Sequence, residues 1–92
     1  MIISKLTATS KILPIFEKGD YIISDASGDM AIVSSVDKKN YYHFKEYYGN
    51  MFEEFKDTKK YTLQVNYQKF FRKCTDEEVE KMNNLIREAK SK

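Results

Sequence analysis

Thr75 and Glu78 stand three residues apart at the head of an apolar stripe, and no other feature limits this chain's fold as tightly. The pair has the spacing of a capping box. The threonine hydroxyl accepts from the amide of residue 78, and the glutamate carboxylate reaches back to the amide of residue 75. Asp76, Glu77 and Glu78 fill the first turn, where the helix dipole favours negative charge. Cys74 and Val79 flank the cap at the spacing of a hydrophobic staple. Val79, Met82, Leu85, Ile86 and Ala89 then recur at helical intervals. This pattern predicts a helix over residues 76–90. Its stripe is too short for a coiled coil, so it should pack on the body of its own domain. Phe70-Phe71-Arg72-Lys73, just ahead of the cap, reads as the last buried strand.

Upstream the signals are short and extended. Glu17-Lys18-Gly19-Asp20 is a turn in which Gly19 supplies backbone freedom. Residues 21–24 and 30–36 read as a hairpin around the turn formers of 25–29. Tyr41 to Tyr48 reads as a third strand. Residues 51–58 fit either a helical turn or a strand and loop. Residues 59–67 place Tyr61, Leu63, Val65 and Tyr67 on one side, which predicts a half-buried strand. Residues 2–6 and 12–16 read as two strands, with Pro14 limiting the second to an edge or a strand start. Turns of three to five residues favour antiparallel pairing. The expected fold is α+β: a small antiparallel sheet, SH3-like or a curled meander, of five to six strands over about residues 2–73. One C-terminal helix closes it.

Ninety-two residues make a single domain, 1–92, with one modest core. The net charge is only +2, which argues against a strong field for nucleic acid. The positive excess is local, between Lys45 and Lys73. A lone cysteine fits a reducing compartment, and no segment has signal-peptide or membrane-span length, so a cytoplasmic protein is expected.

The chain carries no arrangement for covalent or metal chemistry. His43, the sole histidine, has no cysteine or second histidine near it in sequence. Glu53-Glu54 and Asp57 read as solvated charge, since adjacent residues do not share a face. The three glycines are isolated, so there is no phosphate-cradling loop. No enzyme activity, cofactor or metal is expected.

Aromatic residues are concentrated instead. Of thirteen Phe and Tyr residues, eleven lie between positions 41 and 71. Alternation cannot bury both members of Tyr41-Tyr42 and Tyr47-Tyr48 on a one-sided sheet. Either both faces are covered, or some rings face a partner.

Two motifs carry a resemblance. Phe16-Glu17-Lys18-Gly19-Asp20-Tyr21 enters the first clear strand, and Arg72-Lys73-Cys74-Thr75-Asp76-Glu77-Glu78 opens the helix. Across roughly residues 16–90 this resembles small uncharacterised proteins of bacteriophages and prophages. These open a β-meander with a Phe-x-x-Gly-Asp step and close it with an Arg-x-Ala-Thr-x-Glu-Glu helix start. Cys74 stands where alanine is usual. Both motifs are structural, so the resemblance implies a fold and a genomic context rather than a site. Many proteins of that class bind host components, including defence factors.

The expectation that follows is a non-enzymatic, phage-type interaction protein. It would dock a host protein in the host cytoplasm and could inhibit a defence system by occlusion. The candidate surface is Tyr41, Tyr42, His43, Phe44, Lys45, Tyr47, Tyr48, Lys59, Lys60 and Arg72. One alternative is a nucleic-acid-binding barrel, with Lys38, Lys39, Lys45, Lys59, Lys60, Lys69, Arg72 and Lys73 on phosphates. Another is a sponge for a nucleotide signal. No membrane association is expected, and a homodimer would be compatible with all of these.

Overall fold

The computed structural model describes residues 12–49, 54–55 and 61–90. Among the described residues, six short strands form one antiparallel sheet, followed by an α-helix. The strands are β1 (Tyr21–Ile23), β2 (Met30–Val36), β3 (Tyr41–Gly49), β4 (Glu54–Phe55), β5 (Leu63–Gln64) and β6 (Arg72–Lys73), and the helix is α1 (Asp76–Lys90). The sheet order is β4-β3-β2-β1-β6, and β5 pairs with β3 as well. β4 bonds the end of β3 at Tyr48 and Gly49, whereas β5 bonds its start at Tyr41 and Tyr42. This is the expected small α+β fold.

Local chemistry accounts for the turns. Gly19 sits at φ 93°, a region glycine enters without steric penalty. The Asp20 carboxylate accepts from the Glu17 amide at 2.8 Å, and the Asp20 amide donates back to the Glu17 carbonyl at 3.0 Å. Between β2 and β3 the Asp37 carboxylate accepts from the amides of Lys39 and Tyr41 at 2.9 and 3.0 Å. Asn40 takes the left-handed conformation there, at φ 69°, as asparagine tolerates.

The β2–β3 ladder contains two bulges that cancel. Ile32 pairs with Glu46, but Val33 pairs with Phe44, so Lys45 is an extra residue on β3. Val33 pairs with Phe44, but Ser35 pairs with His43, so Ser34 is an extra residue on β2. The register of Met30↔Tyr48 is thereby restored at Val36↔Tyr42. Each extra residue inverts the alternation beyond it. Tyr42, Phe44 and Tyr47 therefore share one face, while Tyr48 lies on the other.

Both faces are covered. On one, Tyr42, Phe44 and Tyr47 pack with Phe16, Ile22, Ala31, Val33 and Val65. On the other, Ile23, Met30, Ile32 and Tyr48 pack against Met82 of α1, with Leu85, Ile86 and Cys74 beside them. The helix is fixed at its start by the capping box: the Thr75 amide donates to Glu78 Oε1 at 2.8 Å, and the Glu78 amide donates to Thr75 Oγ1 at 3.3 Å. Its far end is held by Lys90 Nζ, 3.3 Å from the buried Glu46 carboxylate.

Three expectations need correcting. Residues 12–16 form no strand, because the Ile15 and Phe16 amides donate to side chains rather than to a neighbouring backbone. The first patch, residues 2–6, lies outside the described residues. Of the predicted strand over 59–67, residues 59–60 lie outside the described residues; among the others only Leu63–Gln64 is strand, and it gives way to a 3-10 helix, Val65–Phe70. Alternation would have left Gln68 outside; the tighter winding turns it inward, where its carboxamide meets three polar partners. The strand before α1 is an exposed edge rather than a buried element, since Arg72 and Lys73 both face solvent. Of the ambiguous stretch 51–58, Glu54–Phe55 is strand, and the rest lies outside the described residues. Among the described residues no helix is long and apolar enough to cross a membrane.

Candidate functional site

The tyrosine-rich surface does not form as expected. Tyr42 is fully buried, with Tyr48 at 4 %, Phe44 at 4 % and Tyr47 at 9 % exposure. Only Tyr41 is half-buried, and its hydroxyl accepts from Gln64 Nε2 at 3.1 Å. Ordinary strand alternation splits each doubled tyrosine between the two faces, and the Lys45 bulge places Tyr47 rather than Tyr48 on the face of Tyr42 and Phe44. The Tyr47 hydroxyl donates to Asp29 at 2.6 Å. Burial, reinforced by that carboxylate, pushes the Tyr47 phenol pKa well above its usual value.

Other candidates also have structural partners. His43 Nε2 lies 2.7 Å from Asp37 in an exposed turn. The Asp37 carboxyl is held below its usual range by this contact, then by the turn amides. Arg72 is not open to phosphate. It bonds Asp25 through Nε and Nη2 at 2.8 and 3.0 Å, and Glu78 through Nη1 and Nη2, both at 2.9 Å. Its proton is held more firmly than usual, first by Glu78 and then by Asp25. The Glu78 carboxyl falls to about 2, first through Arg72 and then through the Thr75 amide. Lys73 stands 3.7 Å from Asp20. Lys59 and Lys60 lie outside the described residues. Lys45 is exposed.

The exposed apolar surface lies elsewhere. Leu13 is 74 % exposed, Ile15 59 %, Phe70 58 % and Tyr67 53 %. One knot of hydrogen bonds ties the two segments that carry them. Gln68 Nε2 donates to the Leu13 carbonyl at 2.8 Å, and Gln68 Oε1 accepts from the Ile15 amide at 3.0 Å. Tyr42 Oη donates to Gln68 Oε1 and accepts from the Ile15 and Phe16 amides at 3.0 and 3.2 Å. Asn40 Nδ2 fixes the Ile12 carbonyl at 3.0 Å. The segment is thus tied to the 3-10 helix by its backbone, which leaves Leu13 and Ile15 turned to solvent.

Tyr67 and Phe70 stack with centroids 6.2 Å apart and planes at 26°. In a 3-10 helix, residues three apart eclipse, so this spacing aligns the two rings. Lys69 Nζ stands 5.4 Å from the Phe70 centroid, within cation–π range. The period-2 reading missed this face because it put Tyr67 into the core. The signal available in sequence was Gln68, a polar residue that the winding had to satisfy.

Among the described residues no group of three or more His, Cys, Asp or Glu is placed to hold a metal ion. Comparison with protein families, with curated proteins and with solved structures gave no match to this chain.

Proposed function

We propose that this protein is a non-enzymatic binding module that docks a protein partner through Leu13, Ile15, Tyr67 and Phe70. The observation that carries the reading is the exposed Tyr67–Phe70 stack, backed by a segment whose Ile12 and Leu13 carbonyls and Ile15 and Phe16 amides are hydrogen-bonded. Two rigid rings with few rotors lose little entropy on docking. Aromatic anchors of this kind dominate binding energies at protein interfaces. Lys69 at the edge suits a partner that presents an apolar ridge beside a carboxylate. On the resemblance to small phage proteins, that partner is a host protein, and a defence factor is the first class to test.

A photo-crosslinking residue at position 67 tests this in host lysate, with the same residue at exposed position 38 as the control. The reading expects an adduct with one protein from position 67 alone, reproduced when both components are purified. No adduct from position 67, or an adduct only with a second copy of this chain, would contradict it.

The nucleic-acid reading is weaker on this geometry. Its phosphate set loses Arg72 to two carboxylates and Lys73 to Asp20.

A further inference from the structure

A second surface feature stands apart from the docking face. The two bulge residues of the β2–β3 ladder, Ser34 and Lys45, line the same open cleft. Lys18 and Gly19, from the turn before β1, form its other wall, and Tyr21 and Ile32 supply apolar lining. The cleft holds about 390 Å³, within the roughly 300–1,000 Å³ of small-ligand sites.

Three properties of this cleft point to a ligand class. First, two lysines line it, and among the described residues neither has a carboxylate partner. Lys18 and Lys45 form no ion pair among the described residues, whereas Lys73 and Lys90 each have one. Second, the two lysines come from different elements, and the sheet gives up regular pairing at the point where one of them emerges. Bulges re-aim side chains and recur beside binding sites. Third, the lining pairs cations and the Ser34 hydroxyl with an aromatic ring. The Tyr21 ring is held in place because its hydroxyl donates to Asn83 of α1. Val33, beside Ser34, has both backbone groups bonded to the turn before β1, its carbonyl to the Gly19 amide at 2.8 Å and its amide to the Asp20 carbonyl at 2.9 Å. The cleft is therefore built from hydrogen-bonded backbone flanked by two exposed lysines.

We propose that this cleft binds a nucleoside monophosphate or an equally small organic phosphate. The phosphate sits between Lys18 and Lys45, with the Ser34 hydroxyl as a further donor, and the planar body lies against Tyr21 and Ile32. Two charge-assisted contacts carry the affinity, and the apolar lining separates such a ligand from inorganic phosphate. The proposal is independent of the docking face, because no residue is shared.

Titration with AMP, followed by amide chemical shifts, tests it. AMP should move the Gly19, Ser34 and Lys45 amides, leave the Tyr67 and Phe70 amides in place, and saturate. Adenosine and inorganic phosphate should each bind about tenfold more weakly or worse. Lys45→Gln and Lys18→Gln should each weaken AMP by about tenfold or more, as loss of a charge-assisted bond implies. Both lysines are exposed, so both variants keep the wild-type spectrum elsewhere. No movement at Gly19, Ser34 and Lys45 with millimolar AMP would overturn the proposal. So would AMP binding that both variants leave unchanged. Much tighter binding of a short single-stranded oligonucleotide, strongly weakened by salt, would overturn it in favour of a nucleic-acid groove.

Discussion

Tyr42 and Gln68, 26 positions apart, hydrogen-bond to each other and together satisfy backbone groups of residues 13, 15 and 16. The contact joins the middle of the sheet, the 3-10 helix and the segment ahead of β1. Both partners are buried, so neither can exchange its bonds for water.

Tyr42→Phe should therefore destabilise the protein by about 1–3 kcal/mol, the range for a buried group left without its partner. Gln68→Ala should cost at least as much, since it strands the Tyr42 hydroxyl and frees the Leu13 carbonyl. Urea melts measure both. Hydrogen exchange at the Ile15 and Phe16 amides should accelerate ahead of global unfolding in either variant.

Acid stability should depend on Glu78. Its carboxyl is depressed to about 2 in the folded state, against an ordinary value near 4.3 in the unfolded chain. A depressed carboxyl contributes stability that is complete above the unfolded value and is lost as pH falls toward the folded one. Thermal melts should thus decline between about pH 4.5 and 2, and Glu78→Gln should flatten that decline. Arg72 and Glu78 are partly solvated, so molar salt should shrink the effect. Thr75→Ala removes the other half of the cap and should cost roughly 1 kcal/mol at any pH.

Cys74 should be a slow thiol. Its pKa is pushed up to about 11, first by burial and then by Glu78. Only thiolate attacks disulfide reagents. Reaction with a chromogenic disulfide at pH 8 should be much slower than for a free cysteine peptide. It should approach the peptide's rate once urea unfolds the chain.

The compensating bulges make a prediction about the backbone itself. Deleting Ser34 and Lys45 together leaves Ile32↔Glu46, Val33↔Phe44, Ser35↔His43 and Val36↔Tyr42 as consecutive pairs. The double deletion should fold with the same faces buried and with the cleft lost. Cross-strand proton contacts at these four pairs would verify it, and a spectrum without dispersed amides would refute it.

How much the chain revealed before folding follows from the range of each interaction. The capped helix was legible because its box, its acids and its apolar stripe all lie within fifteen residues. The β1–β2 hairpin was legible for the same reason. The 3-10 helix was not, since Gln68 is satisfied by residues 13, 15 and 42, far away in sequence. The fate of the tyrosines was hidden as well. Tyr47 and Phe44 share a face only because Lys45 drops out of the ladder, and no local pattern announces a bulge paid back by another on the next strand. The exposed rings were correspondingly expected at the tyrosine pairs, whereas Tyr67 and Phe70, which the winding turns outward, are exposed instead.

Whether Tyr67 and Phe70 anchor a partner can be measured directly. With the protein crosslinked at position 67 purified, its dissociation constant should be compared for wild type, Lys38→Ala and a Tyr67→Ser, Phe70→Ser double variant. Truncating a hot-spot pair costs about 2 kcal/mol or more, roughly thirtyfold in affinity. The account predicts that loss in the double variant alone, with an unchanged melting profile. Equal affinities in all three proteins would contradict it.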